Sequence, residues 1–189
     1  TRAEFERQEA KIVAAIRDLN ADVVGLMEIE NDGYGELSAI RRLTTQLGAD
    51  WRYVDPGIPK LGGDAITVAI IYNGRTVEPV GTPATLAIDD KNRQPLARSF
   101  RRIGGTQNFT VVVNHLKSKG CSGASGKDAD QGDGQSCWNP TRVRAAGLIA
   151  DWLAISPTGV ADIGKLLIGD LNSYAKEDPV VLFADKGYA

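Results

Sequence analysis

Six residues placed at the ends of apolar runs carry groups able to do chemistry together: Glu28, Asp64, Asn114, His115, Asp170 and Asn172. The run Val23–Met27 delivers Glu28, and Ala65–Tyr72 is preceded by Asp64. Val111–Val113 delivers Asn114 and His115, and Leu166–Ile168 delivers Asp170 and Asn172. If these rims converge, they form a pocket with three carboxylates, two amides and the only histidine of the chain. A hard cation such as Mg²⁺ takes oxygen ligands, usually one or two carboxylates with water and substrate phosphate. An imidazole beside a carboxylate works as an acid or base near neutral pH. That combination suits hydrolysis of a phosphate ester.

The most informative stretch is Lys165–Ser173, KLLIGDLNS. Leu166–Ile168 reads as a short strand buried on both faces. Gly169 ends the apolar run. Side chains alternate across an extended backbone, so Asp170 and Asn172 point to one side and Leu171 to the core. Asp and Asn are also common turn residues, so a strand ending in a polar turn is the alternative.

The elements needed to hold these rims are legible in the pattern. Residues 2–19 read as an amphipathic helix with Phe5, Ile12, Ile16 and Leu19 on one stripe. A buried strand over Val23–Met27 follows, then a helix over Tyr34–Leu47 with Gly48 as its cap. From Trp51 to Val113 the pattern turns to strands: Trp51–Val54, Ala65–Tyr72, Val77–Ile88, Leu96–Ile103 and Asn108–Leu116. Pro79 and Pro83 place the third of these at a sheet edge. Gly104-Gly105 marks a hairpin between the last two. Asn139-Pro140 opens a helix with an Asn cap and Pro at its first position, running to about Ile155 with Val143, Ala146, Ala150 and Leu153 inward. Asp178-Pro179 starts a last short helix.

The 189 residues, 42% hydrophobic and 24% charged, fit one soluble domain spanning 1–189. Strands in succession, with helices at both ends, favour two packed sheets covered by helices over a doubly wound parallel sheet. No apolar run is long enough to span a membrane. The net charge of −2 gives no general attraction to a polyanion, so nucleic-acid binding needs a local basic patch or a bound cation. Cys121 and Cys137, the only cysteines, bracket a glycine-rich polar loop, which suits a disulfide in an oxidising compartment. Asp128, Asp130 and Asp133 in that loop leave open a calcium site or an acidic solvated loop. Arg142 and Arg144, in the first turns of a helix, are either a solvated pair or a site for phosphate.

The segments VVGLMEIE, GGDAITVAIIY, RQPL, VVVNHLKS and LLIGDLNS resemble, in order and over nearly the whole chain, the endonuclease/exonuclease/phosphatase superfamily. That is the fold of pancreatic deoxyribonuclease and of the abasic-site endonucleases. The loop CSG…DQGDGQSCWNPTR is similar to secreted bacterial nucleases of the superfamily. The resemblance implies an α+β four-layer sandwich of two packed mixed sheets flanked by helices, incomplete at both ends. It implies Glu28 as ligand of Mg²⁺, with Mn²⁺ or Ca²⁺ as alternatives and Glu30 as a second candidate. Asp64 then orients the catalytic His115, which protonates the leaving oxygen or hydrogen-bonds the phosphate. Asp170 positions or activates the attacking water. Asn172 and Arg93 fall to the substrate phosphate; Asn114, beside His115, and Arg142, at a helix start, are added to them as phosphate candidates from their positions. Without the resemblance, His115 reads as a structural histidine, Asp64 as a turn cap and Arg93 as a surface charge.

The resemblance also leaves gaps. Members begin with a strand carrying an asparagine near the metal and end with a Ser/Thr-Asp-His triplet, and neither is found here. The expectation is a fragment, weak or inactive alone, of a nuclease that acts on DNA, extracellular or periplasmic in a bacterium and without membrane contact. The rivals are a lipid or inositol phosphatase or a sphingomyelin phosphodiesterase of the same superfamily, and a degenerate binding module.

Overall fold

The computed structural model describes residues 1–188. Its elements are α1 (Arg2–Asp18), β1 (Val23–Glu30), α2 (Ala39–Leu47), β2 (Trp51–Tyr53), β3 (Ile66–Asn73), β4 (Val77–Thr85), β5 (Leu96–Arg102), β6 (Asn108–His115), α3 (Asn139–Ala154), β7 (Lys165–Asp170) and α4 (Asp178–Asp185). The strands form two sheets, ordered β1-β3-β2 and β4-β5-β6-β7. Alternation along β3 explains the layering. Val68 and Ile70 face the second sheet and pack with Leu96, Phe100, Val111 and Val113. Ala69 and Ile71 face the other way, onto Val13 and Ile16 of α1 and Ile40, Leu43 and Leu47 of α2. On the far side of the second sheet, Ala97 and Val112 meet Ala145, Ala146, Ile149 and Leu153 of α3 and Phe183 of α4. The result is the expected α+β sandwich of four layers, helix, sheet, sheet, helix.

Only the second sheet is mixed. The first is antiparallel throughout, because β1 and β2 both run antiparallel to β3. In the second, β4, β5 and β6 alternate direction and β7 joins parallel to β6. A parallel neighbour needs a long crossover, which the cysteine loop and α3 supply. β4 lies at one edge, as its prolines require.

The sequence reading misplaces several faces. β7 is the other edge of its sheet, so Leu166 is 57% and Ile168 38% exposed, not buried on both faces. Residues 23–27 of β1 bury only Val24 fully. In α1, Val13 and Ile16 are the buried positions, whereas Phe5, Ile12 and Leu19 are exposed; the Arg42 guanidinium covers the Phe5 ring at 4.7 Å. α2 begins at Ala39, not Tyr34, because Ser38 accepts the Arg41 N–H and caps it there.

The start of α3 is also built differently. Its N-cap residue is Trp138, in a left-handed conformation, and Asn139 makes no cap bond. The capping carboxylate is Asp128, which accepts from the backbone N–H and the hydroxyl of Thr141. Asp128 is therefore occupied as a cap. Asp130 and Asp133 accept from the backbone N–H groups of Gly132 and Gln135, so the three acids turn local backbone and do not converge on a cation. Cys121 and Cys137 are disulfide-bonded, with 16 residues of sequence separation. Closing such a loop is worth about 3 kcal/mol in the chain-entropy account.

Candidate active site

The site starts from a register. In the parallel pair β6–β7, His115 lies opposite Asp170 and Val113 opposite Ile168, so all four share one face. That face is the one turned to the first sheet, since Val113 belongs to the core between the sheets. His115 is 3% exposed and Asp170 half exposed at the rim. Their closest atoms, Nε2 and Oδ2, are 4.0 Å apart. This gap is longer than a hydrogen bond, and a bound oxygen can bond both partners across it.

Two glycines make this juxtaposition possible. Gly169 has φ +128°, and a Cβ there would sit 2.0 Å from the Asn114 carbonyl oxygen. Only glycine lets β7 run so close to β6 immediately before Asp170. Across the sandwich, a Cβ on Gly25 of β1 would meet Ile168 Cδ1 at 2.6 Å and Val113 Cγ2 at 2.7 Å. The bare glycine brings β1 down onto the strands that carry Asp170 and His115.

Three residues after Gly25 comes Glu28. The pairing of β1 with β3 slips between Leu26 and Ile29, and Glu28 takes φ +60° within that bulge. A bulge re-aims a side chain, and a non-glycine residue held in the left-handed region is a form of strain that gathers at functional sites. The Glu28 carboxylate is exposed and has no hydrogen bond or ion pair among the described residues. It is available to a ligand.

Arg93 and Asp64 complete the cluster. Arg93 Nη2 lies 3.0 Å from Asp64 Oδ2, and the Arg93 backbone N–H donates to the His115 carbonyl at 3.2 Å. The Asp64 carboxylate is thus taken by Arg93, and His115 Nδ1 is buried without a partner. This corrects the expectation that Asp64 orients the histidine: a guanidinium next to Asp64 claims its charge. Beside these residues opens a cleft of ≈ 290 Å³, lined by Gly62, Gly63, Asp64, Asn92 and Arg93 among others.

Burial pushes the His115 imidazole below its ordinary value of 6.5, and the Arg93 charge pushes the same way; the carboxylates of Asp170, Glu28 and Asp64 oppose them. A depressed value means that the unfolded chain binds a proton the folded chain resists. Stability is therefore full above about pH 6.5, falls as the pH drops through that value, and levels off below the folded value. We expect urea unfolding at pH 7.5 and 5.5 to show this loss in the native chain, and a smaller loss in His115→Gln. Equal pH dependence in the two proteins would contradict the assignment.

Asn114, Asn172 and Arg142 have other duties. Asn114 faces α3, opposite to His115, and is fully buried, its amide donating to the carbonyls of Val112 and Ile168. Strand alternation thus excludes it from the phosphate role read from the sequence. Asn172, at φ +47°, donates to the Leu116 carbonyl at 2.9 Å, and its backbone N–H donates to Asp170 Oδ1 at 2.8 Å. It ties the ends of β6 and β7 together at the rim. Arg142 is 0% exposed, and its guanidinium donates to the carbonyls of Lys117, Cys137 and Gln135. Its phosphate role is overturned as well: carbonyls of the disulfide loop and of Lys117 occupy it. Arg144 pairs with Asp89.

Sequence reasoning missed the supports. Asn31, 5% exposed, donates to the carbonyls of Leu61, Gly62 and Asp64 and accepts the Leu61 N–H, fixing the loop that presents Asp64. Asn92 accepts the Lys117 N–H at 2.9 Å and so fixes the segment before Arg93 against the end of β6. The only local signal for either is an amide next to a candidate residue.

Among the described residues no three His, Cys, Asp or Glu side chains gather into a ready cage for a metal. No family model matches this chain, and no curated protein matches it. Solved structures do. An endonuclease/exonuclease/phosphatase family protein from Bacteroides thetaiotaomicron superposes with a TM-score of 0.67 at 15% identity, over 96% of this chain and 59% of that one. The human Nocturnin catalytic domain, with bound sulfate, gives 0.65 at 14% identity over 97% and 63%. D. rerio TDP2, complexed with a single-strand DNA product, gives 0.59 at 13% over 95% and 57%. The chain spans about three-fifths of the length of these solved chains. At such identities the likeness speaks to architecture, and this chain has the deoxyribonuclease I-like fold of the endonuclease/exonuclease/phosphatase proteins.

Proposed function

We propose that the protein carrying this chain is a metal-dependent phosphodiesterase acting on nucleic acid, most simply a secreted nuclease of DNA. The observation that supports this most is the buried His115 imidazole held 4.0 Å from Asp170 at the rim where β6 and β7 end, with Arg93 bonded through its backbone to the same end of β6. The fold supports phosphoester hydrolysis in general. The DNA product bound to TDP2 favours a nucleic-acid substrate.

The donor set fits Mg²⁺ better than a cation that needs a full protein cage. A single free carboxylate, Glu28, is what Mg²⁺ uses when water and substrate phosphate fill its other positions. When bound, the ion would offset charge building on the phosphate oxygens. The remaining work falls to the chain. Arg93, balanced by Asp64, brings a cation to the phosphate. His115, uncharged near pH 7, hydrogen-bonds a phosphate oxygen through Nε2; its depressed value makes it a poor standing acid and a good neutral donor. Asp170 accepts a hydrogen bond from the attacking water and orients it toward phosphorus. As the water oxygen bonds to phosphorus, Asp170 takes one of its protons; the phosphorus–oxygen bond to the leaving alcohol breaks, and the leaving oxygen takes a proton from solvent water.

The test is hydrolysis of plasmid DNA, RNA, a phosphomonoester and sphingomyelin by the protein with Mg²⁺ and with chelator. We expect cleavage of nucleic acid that chelation abolishes. Activity confined to the monoester or to sphingomyelin would overturn the nuclease reading, and no hydrolysis of any phosphoester would overturn the enzymatic one.

A further inference from the structure

Tyr174 is 77% exposed, the most exposed aromatic side chain among the described residues, and no packing explains it. The ring is nevertheless held. Lys119 Nζ sits 4.3 Å from its centroid, and Lys119 is in turn fixed by an ion pair with Glu177, whose side chain is 9% exposed. The Glu177 N–H donates to the Tyr174 carbonyl at 2.9 Å, closing the turn that carries the ring. One face of the ring is occupied by the ammonium group, and the exposure leaves the rest open.

Its position follows from the strand ends. β6 delivers His115 and then, two and four residues on, Lys117 and Lys119. β7 delivers Asp170 and then, four residues on, Tyr174. The bond from Asn172 to the Leu116 carbonyl holds these two exits side by side. The basic and aromatic groups therefore leave from the same rims as the candidate catalytic pair.

An open aromatic face beside a basic side chain is one way proteins hold single-stranded nucleic acid: the ring stacks on a base and the cation lies near the backbone. We propose that Tyr174, with Lys119, is a subsite that stacks a nucleobase adjacent to the phosphate held at His115. The proposal rests on the nucleic-acid reading of that site. Because stacking needs an unpaired base, it favours single-stranded or frayed substrate over intact duplex.

The experiment measures anisotropy of two labelled strands of equal length, an oligothymidylate and its abasic counterpart, with the chain in chelator. Native protein, Tyr174→Ala and Tyr174→Phe are compared. Stacking predicts roughly tenfold weaker binding of oligothymidylate by Tyr174→Ala, native-like binding by Tyr174→Phe, and no change on the abasic strand. Unchanged oligothymidylate binding by Tyr174→Ala overturns the subsite, as does an equal loss on both strands, which would mark Tyr174 as a mere support for Lys119. Failure of the native chain to bind either strand overturns the subsite and the nucleic-acid reading together. Base-dependent binding by a protein that hydrolyses no phosphodiester would leave the subsite standing and remove only the catalytic reading.

Discussion

Replacing His115 by alanine is expected to lower phosphodiester hydrolysis by about 10²- to 10³-fold, the range for losing one hydrogen-bond donor to an oxygen that gains charge in the transition state. Glu28→Gln is expected to fall comparably for a different reason. It removes the free carboxylate and leaves an isosteric, uncharged side chain in the same bulge. The two variants separate chemistry from folding. His115 is 3% exposed, so its removal also costs some stability. Glu28 is exposed and pairs with nothing among the described residues, so Glu28→Gln should melt with the native protein. Initial rates on a labelled oligonucleotide, with circular dichroism melts alongside, make the comparison. Full activity in both variants would remove the proposed site. Full activity in Glu28→Gln alone would move the metal ligand elsewhere, with Glu30 the next to test.

Gly169→Ala is expected to destabilise the fold by roughly 3–5 kcal/mol, a large part of the stability of an ordinary domain. The added Cβ would fall 2.0 Å from the Asn114 carbonyl oxygen and 2.8 Å from its nitrogen. Both are backbone atoms of a strand buried between two neighbours, so neither can turn aside as a side-chain tip would. The residue also sits at φ +128°, which other L residues rarely adopt. For a chain of this size the melting temperature should drop by about 10 °C or more. Gly63→Ala is the control: a Cβ there meets nothing within 4 Å, and its backbone is not in the left-handed region. It should melt within about 2 °C of native. If Gly169→Ala matched it, the close approach of β7 to β6 would not be what sets Asp170 opposite His115.

The contrast between Gly25 and Gly169 on one side and Asp170 on the other shows how the site was legible in part. Asp170 announced itself, because a carboxylate at the end of an apolar run is visible in five consecutive letters. The glycines did not. Gly169 reads locally as a strand terminator, and Gly25 passes as one more letter of the apolar run Val23–Met27. Their meaning lies in atoms of other strands, Asn114 for one, Val113 and Ile168 for the other. Arg142 shows the same limit in reverse. Its position at a helix start suggests an anion site, but two carbonyls of the folded cysteine loop and that of Lys117, just past β6, occupy it.

The sequence by itself determined the kinds and order of the elements, the sandwich class, the cysteine pair, and the set of strand ends that carry polar groups. These follow from local rules: alternation with period two, helical spacing, and the turn chemistry of glycine and proline. Tertiary structure decided which strand is an edge, which face each polar side chain takes, and which partner claims it. Asp64 belongs to Arg93, Asn114 to the backbone beside α3, and Asp128 to the start of α3. A side chain of fixed type has many possible partners, and only the packing of distant segments brings one of them within bonding distance.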